Sequence, residues 1–325
     1  MKKILITGGA GFIGSHLVEL FLKNKYHVNV IDNFSNGKNN NIKKFLNNKR
    51  LKVFKSSIGN KKALTKSING CEGIIHCATK NLRFSLKNPL ETDETNTSFT
   101  LLLLEEAKKN KVKKFIYCSS SEVYGNLDAK HKLKEKEHFN PTTIYGASKL
   151  AGEYYAKVYR DLYKLNLIIL RPFNMYGERA NIKGNSAEVI TRFFLNLMSR
   201  KKVYIYGDGK NSRDFSYVKD IANIFLKIYQ RQGKFKTELL NLGFGKDYSV
   251  NKILNHISKI LNIKYTKAKY LPERPGDIKR LICNNSKIKK IYNLNPNIKL
   301  IDGLIKYYKW IKHKKNLPTI KPKNW

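Results

Sequence analysis

Tyr145 and Lys149 stand four residues apart, a spacing that stacks both side chains on one face of a helix. A free phenol, with a pKa near ~10, is a poor base at neutral pH, but an ammonium beside it favours the phenolate, which could then take a proton from a substrate hydroxyl. Spacing alone leaves a plain surface pair open. A second cluster, Ser119, Ser120, Ser121 and Glu122, follows an apolar run and brings three hydroxyls and a carboxyl together. A third is the glycine turn Gly8, Gly9, Gly11 and Gly14, with Phe12 and Ile13 inside it, which follows the first strand-like run and opens a helix. Here Gly8 permits the tight turn, Gly11 lets the backbone approach a pyrophosphate, and Gly14 lets helix and strand pack closely. The helix N-terminus adds N–H donors for phosphates. Asp32 ends the second strand-like run eighteen residues after Gly14. A carboxylate there accepts from both ribose hydroxyls and repels a 2′-phosphate, so the cofactor expected is NAD rather than NADP. Asn33 beside it, and Ser57 and Ile58 at the end of the third run, are further candidate cofactor contacts, although Ser57 is a weak acceptor where an Asp would suit the adenine amino group.

These groups need a scaffold. Short β-branched runs at 4–7, 27–31, 51–54, 73–76, 114–117 and 167–170 alternate with amphipathic segments such as 15–23 and 98–109. Strands separated by helical patterns of this length require crossovers, and crossovers build a parallel sheet covered on both faces. The fold class expected is α/β: a Rossmann-like, doubly wound parallel sheet with a smaller interleaved α/β domain. Residues 1–172 form the NAD-binding domain, joined by later segments around 213–245, and 173–325 form mainly the second domain. After residue 172 longer helical patterns follow, at 187–199, 218–230 and 250–261. Carboxyl ends of parallel strands frame the ligand crevice, which puts the hydroxyls of 119–121 on the cofactor side.

The chain has 325 residues, 41% of them hydrophobic, which excludes a disordered tail; 64 Lys and Arg against 24 Asp and Glu give a net charge of +40. That charge suggests nucleic acid. The lysines, however, are scattered through nearly every segment and no nucleic-acid-binding motif accompanies them, so no specific nucleic acid is expected. Cys71, Cys77, Cys118 and Cys283 contain no C-x-x-C pair, so neither a metal module nor a disulfide framework is indicated, and a reducing cytoplasm is the expected location. Gly8 to Gly14 interrupt the apolar start before a signal h-region forms, and no later stretch reaches the ~18 apolar residues of a membrane span.

The glycine turn, the Ser119–Gly125 run, Tyr145-x-x-x-Lys149 and Arg171-Pro-Phe-Asn-Met-Tyr-Gly177 together resemble the extended short-chain dehydrogenase/reductase family, and within it the NAD-dependent nucleotide-sugar epimerases and dehydratases, UDP-glucose 4-epimerase-like. The motifs beginning at Gly207, Asn241 and Arg274 extend the resemblance to about residue 285. It implies that Ser120, Tyr145 and Lys149 are a catalytic set. Ser120 binds the sugar oxygen, Tyr145 removes its proton, and Lys149 also reaches the nicotinamide ribose. A hydride leaves sugar C4 for NAD and returns on the other face, so a UDP-hexose, N-acetylhexosamine or hexuronic acid is epimerised through a 4-keto sugar. Glu122 keeps a lyase open, a 4,6-dehydratase or a UDP-glucuronate decarboxylase. The dehydratases' acidic pair here reads Ser121-Glu122, which leaves elimination without its proton donor.

By the same resemblance Arg213, Arg274 and Asn174 contact the nucleotide's phosphates, and a guanidinium fork suits a diphosphate. Asp277 accepts from the ribose, while Lys80, Arg83 and Ser121 touch substrate. Leu281 stands where bulk limits the C2 substituent. Asn96 serves the cofactor or holds its loop, and Phe99 replaces a glycine at helix-packing distance. A homodimer through helices around 98–109 and 145–163 also follows from the resemblance. Within the basic stretch 306–325 and just before it, residues 304–312 are read as a capping helix with a solvated basic face, with attachment to an anionic membrane as the alternative.

Overall fold

Ile4, Leu5 and Ile6 are completely buried, and a computed structural model of the chain places them at the centre of a seven-stranded sheet. The structure describes residues 2–127, 131–182, 187–264, 268–274, 276–314 and 317–318. The strands in chain order are β1 (Lys3–Thr7), β2 (His27–Asp32), β3 (Leu51–Lys55), β4 (Gly73–His76), β5 (Lys114–Cys118), β6 (Leu167–Pro172), β7 (Met175–Tyr176), β8 (Tyr204–Tyr206), β9 (Ser212–Asp214), β10 (Ser216–Tyr217), β11 (Leu239–Leu242), β12 (Asp247–Ser249), β13 (Lys269–Leu271) and β14 (Arg280–Leu281). The helices are α1 (Phe12–Lys23), α2 (Asn39–Ile42), α3 (Lys61–Ile68), α4 (Leu82–Ser85), α5 (Pro89–Asn96), α6 (Ser98–Lys109), α7 (Ile144–Leu162), α8 (Val189–Met198), α9 (Val218–Gln230), α10 (Val250–Ile260), α11 (Ser286–Tyr292) and α12 (Leu300–Ile311), with a 3-10 turn at Ser121–Val123.

The large sheet has the order β11-β6-β5-β4-β1-β2-β3 and every pairing in it is parallel. Chain order reverses between β1 and β4, and that reversal opens a crevice above their carboxyl ends. One face of the sheet is covered by α1 and α9, whose Leu17, Phe21, Ile221 and Phe225 share a core cluster. The other is covered by α3, α6 and α7 through Leu64, Leu103, Leu104 and Ala156. A separate core joins α8, α10 and α12 through Phe193, Phe194, Ile253, Ile257 and Leu304.

Six of the seven strands coincide with the apolar runs read from the sequence. The seventh, β11, is not among those runs; it pairs Leu239 with Ile169 and Leu240 with Leu170 at the edge of the sheet. Of the basic C-terminal stretch, α12 buries Leu300, Leu304, Tyr307 and Ile311, and residues 315–316 and 319–325 lie outside the described residues. Among the described residues no helix is long and apolar enough to cross a membrane, and none group as a metal site.

Candidate active site

The crevice is a cavity of about 660 Å³ that runs from the glycine turn to α8 and the loop around Asp277. At one end Gly8 has φ +66, and a Cβ there would lie 2.7 Å from the Ala78 nitrogen; a Cβ on Gly14 would lie 2.2 Å from the Gly8 oxygen. Both contacts forbid a side chain and keep the turn flat against its neighbours. Gly11 caps α1 with no side-chain acceptor and no acid follows in the first turn, so the N-terminal N–H groups near Phe12 and Ile13 face the cavity as an anion cradle. Asp32 is buried, with Oδ2 accepting from Ala10 N at 2.9 Å and Oδ1 from Phe34 N at 2.8 Å. Burial raises its pKa against those two bonds, and each oxygen keeps a lone pair for a ribose hydroxyl. Asn33, Ser57 and Ile58 line the same end. Cradle, acid and shape fit a dinucleotide. Phe99 packs its ring on Gly59, where a Cβ would lie 2.4 Å from it, so a large residue on α6 is matched by a small one after β3.

At the middle of the cavity, Thr143 caps α7 by accepting from Gly146 N at 3.1 Å, which sets Tyr145 in the first helical turn. A Cβ on Gly146 would lie 2.6 Å from the Glu122 carbonyl oxygen. The glycine lets α7 lie directly on the 3-10 turn, which brings Tyr145 beside Ser120 in the cavity wall. Ser120 also accepts from Glu122 N at 3.2 Å. Glu122 has its pKa raised to about 7, chiefly by burial, with Arg213 opposing and Glu188 and Asp277 reinforcing.

Lys149 corrects the expectation drawn from its spacing. Its Nζ donates to the Cys118 carbonyl oxygen at 2.6 Å and lies 4.3 Å from the Tyr117 ring centroid, because that buried ammonium has a carbonyl within reach. Tyr145 keeps a pKa raised by burial, only partly offset by Ser120, and Lys149 is itself lowered by burial. Behind both, Glu153 and Arg171 form a buried pair, Nη2 to Oε2 at 2.5 Å and Nε to Oε1 at 2.7 Å. Ser119 donates to Glu153 at 2.5 Å, and Arg171 donates to the Tyr124 hydroxyl at 2.8 Å. This network ties α7, β5 and β6 together beneath the site.

At the far end Asn174, Arg213, Arg274 and Asp277 line the cavity. Arg213 Nη2 lies 3.3 Å from Asp277 Oδ1, so that carboxylate orients a guanidinium. The Asn174 Nδ2 is buried with no hydrogen-bond partner among the described residues. Arg274 stacks 4.0 Å from the Tyr206 centroid. Arg192 has its pKa lowered to about 10 by burial and then by Arg83 and Arg274. Arg83 pairs with Glu188 at 3.3 Å while its buried Nε lacks a hydrogen-bond partner among the described residues. Glu188, Arg192 and Tyr206 carried no motif in the sequence. Lys80 and Ser121 also line the cavity; Lys80 Nζ bonds Glu91 at 2.6 Å.

Two candidates stand elsewhere. Leu281 is fully buried in a core with Val123, Tyr124 and Phe173 and is not among the cavity-lining residues, because β14 pairs with β9 and turns it inward. Asn96 holds the loop after β4, accepting from Lys80 N at 2.9 Å and donating to Lys80 O at 3.1 Å and Ser148 Oγ at 3.0 Å. All its polar atoms are thereby engaged in the protein.

Residues 4–243 match the model of the NAD dependent epimerase/dehydratase family. Among solved structures, the chain is similar to the UDP-glucose 4-epimerase of Thermotoga maritima with UDP-glucose, with TM-score 0.89 and 31% identity, covering 95% of this chain and 98% of that one. It is similar to the UDP-N-acetylglucosamine 4-epimerase of Methanobrevibacter ruminantium in complex with UDP-N-acetylmuramic acid, with TM-score 0.87 and 34% identity over 96% and 98%. It is also similar to the UDP-glucuronic acid 4-epimerase of Bacillus cereus in complex with UDP-glucuronic acid and NAD, with TM-score 0.89 and 31% identity over 95% and 99%.

Proposed function

The chain belongs to the NAD dependent epimerase/dehydratase family and its cofactor is NAD, and on that premise we propose that it is a 4-epimerase of a UDP-sugar. The observation that carries the reading is the placement of Ser120, Tyr145 and Lys149 together in the wall of one cavity, with a dinucleotide cradle at one end and an arginine cluster at the other. NAD, when bound, supplies a hydride acceptor and a positively charged ring. Gly8, Gly11, Gly14, Phe12, Ile13 and Asp32 hold it. Ser120 fixes the sugar hydroxyl, and Tyr145 moves the proton between its own oxygen and the sugar's. Lys149, anchored on Cys118, places a fixed cation at the boundary of cofactor and sugar. Arg213 and Arg274, with the unpartnered amide of Asn174, bind the diphosphate.

Arg83 and Arg192 enlarge that cationic end and Glu188 offsets only part of it, which favours a doubly charged nucleotide. A second reading has one observation in its favour: Glu122, half protonated near neutral pH, is the kind of acid a lyase needs. Its neighbour Ser121 is buried and supplies no second carboxyl.

On the outer face of α7, Tyr154, Val158 and Leu162 are 53%, 51% and 64% exposed at helical spacing. This apolar stripe supports a homodimer built on α6 and α7.

The test is a panel of UDP-glucose, UDP-N-acetylglucosamine, UDP-glucuronate, dTDP-glucose and GDP-mannose, with products read by NMR. A C4 epimer of one UDP-sugar is expected. Exclusive formation of a 4-keto-6-deoxy sugar or a pentose would end the epimerase reading.

A further inference from the structure

Two of the four cysteines meet in the cofactor crevice. The β4 and β5 ladder ends at the pair His76 and Tyr117; Cys77, the residue that follows β4, and Cys118, the last residue of β5, are each one residue further, where the chains leave a ladder whose parallel strands run about 4.8 Å apart. This separation lies inside the Cα range that a disulfide spans. Both residues line the cavity, and their thiols are near enough for each to shift the titration of the other. Cys71 and Cys283 are buried elsewhere and are not among the lining residues.

The surroundings divide the pair's roles. The neighbouring Cys77 thiol and the Lys149 ammonium favour the Cys118 thiolate over the opposing effect of burial, holding its pKa below the ordinary thiol value; Cys77 is pushed well above it. The first thiolate to form in the pair is that of Cys118. Cys118 is thus the nucleophile and Cys77 the resolving thiol.

We infer that Cys77 and Cys118 form an oxidation site in the crevice wall, which a peroxide converts into a disulfide and which, once closed, weakens NAD binding. The Cys118 sulfur attacks the O–O bond; an S–O bond forms, and the released hydroxide leaves as water with the proton from Cys118. The Cys77 sulfur then attacks the sulfenic sulfur, forming S–S and breaking S–O, and a second water leaves with the Cys77 proton. Two thiols lose two electrons and one peroxide becomes two waters.

The consequence for NAD follows from what each backbone touches. Cys77 N donates to Thr7 Oγ1 at 3.2 Å, and its carbonyl carbon lies 2.9 Å from where a Gly8 Cβ would sit. The Cys118 carbonyl holds Lys149. Drawing the two sulfurs to bonding distance pulls on the glycine turn and on the anchor of Lys149 together.

The test treats the purified full chain with hydrogen peroxide, alkylates remaining thiols and digests without reductant. Expected is one linked peptide joining Cys77 to Cys118, undone by dithiothreitol and formed more slowly with saturating NAD, while Cys71 and Cys283 stay reduced. Linkage should cause a reversible loss of NAD binding, and Cys77→Ala should retain NAD binding after the same treatment. Failure of the linkage to form, or over-oxidation of Cys118 with Cys77 untouched, overturns the assignment. So does a linkage indifferent to NAD, or an oxidised chain that binds NAD as the reduced one does. None of these readouts depends on which sugar is turned over.

Discussion

Lys149 donates to the Cys118 carbonyl oxygen at 2.6 Å and makes no hydrogen bond to Tyr145 among the described contacts. In cofactor-free protein the phenol of Tyr145 is therefore expected to titrate above 10, and Lys149→Met is expected to leave that titration unmoved. Ultraviolet difference titration of the parent against Tyr145→Phe reads it; a phenol pKa below 10, or one that shifts with Lys149→Met, would contradict the geometry. With NAD bound, Tyr145→Phe should lower kcat by about 10²–10⁴ while NAD remains on the protein.

Glu122 has a pKa of about 7. Below that value it is neutral; above it a carboxylate faces the phosphate-binding arginines and repels an anionic substrate. KM should rise as pH passes upward through about 7, and Glu122→Gln, neutral throughout, should flatten the profile. The same rise in both proteins would assign it to another group.

Gly146 is the point at which α7 rests on the 3-10 turn, with the Glu122 oxygen 2.6 Å from where an alanine methyl would sit and Pro141 Cβ at 3.1 Å. Gly146→Ala must push the helix off the turn and separate Tyr145 from Ser120. A 1 Å displacement of a reacting group costs on the order of 10² in rate, so kcat should fall by about that factor with NAD affinity retained. Parallel losses of kcat and NAD binding would place the damage elsewhere.

Glu153 and Arg171 are both buried and doubly hydrogen-bonded. Removing one partner leaves the other charge stranded, and Arg171→Met should cost about 3–5 kcal/mol in urea unfolding. A loss below about 1 kcal/mol would mean that solvent reaches the pair.

His16 is buried against Glu178 O at 2.9 Å with Arg179 close by, and burial, followed by that cation, lowers its pKa from 6.5 to about 4. Between those values the unfolded chain holds a proton that the folded chain does not. Stability is therefore full above 6.5 and declines as pH falls toward 4, by roughly 3 kcal/mol from this residue. Urea unfolding across that window should show a shallower decline in His16→Gln; identical slopes would exclude the residue as the cause.

Much of the cofactor end was legible in the residues themselves. Gly8, Gly11, Gly14 and Asp32 act through strand, turn and helix contiguous in the chain, so their spacing already states their geometry. Tyr145 and Lys149 were legible as helix neighbours for the same reason. Which partner Lys149 takes was not, because a long side chain bonds the acceptor that folding brings near, and that acceptor belongs to β5. The burial of Leu281 follows from β14 pairing with β9, and the clustering of Arg83, Arg192 and Arg274 from three segments distant in sequence. Local spacing determined the dinucleotide cradle and the candidate catalytic helix. Tertiary packing alone decided what those side chains touch, and it joined Cys77 to Cys118 across two strands, because pairing between parallel strands is set by the whole sheet.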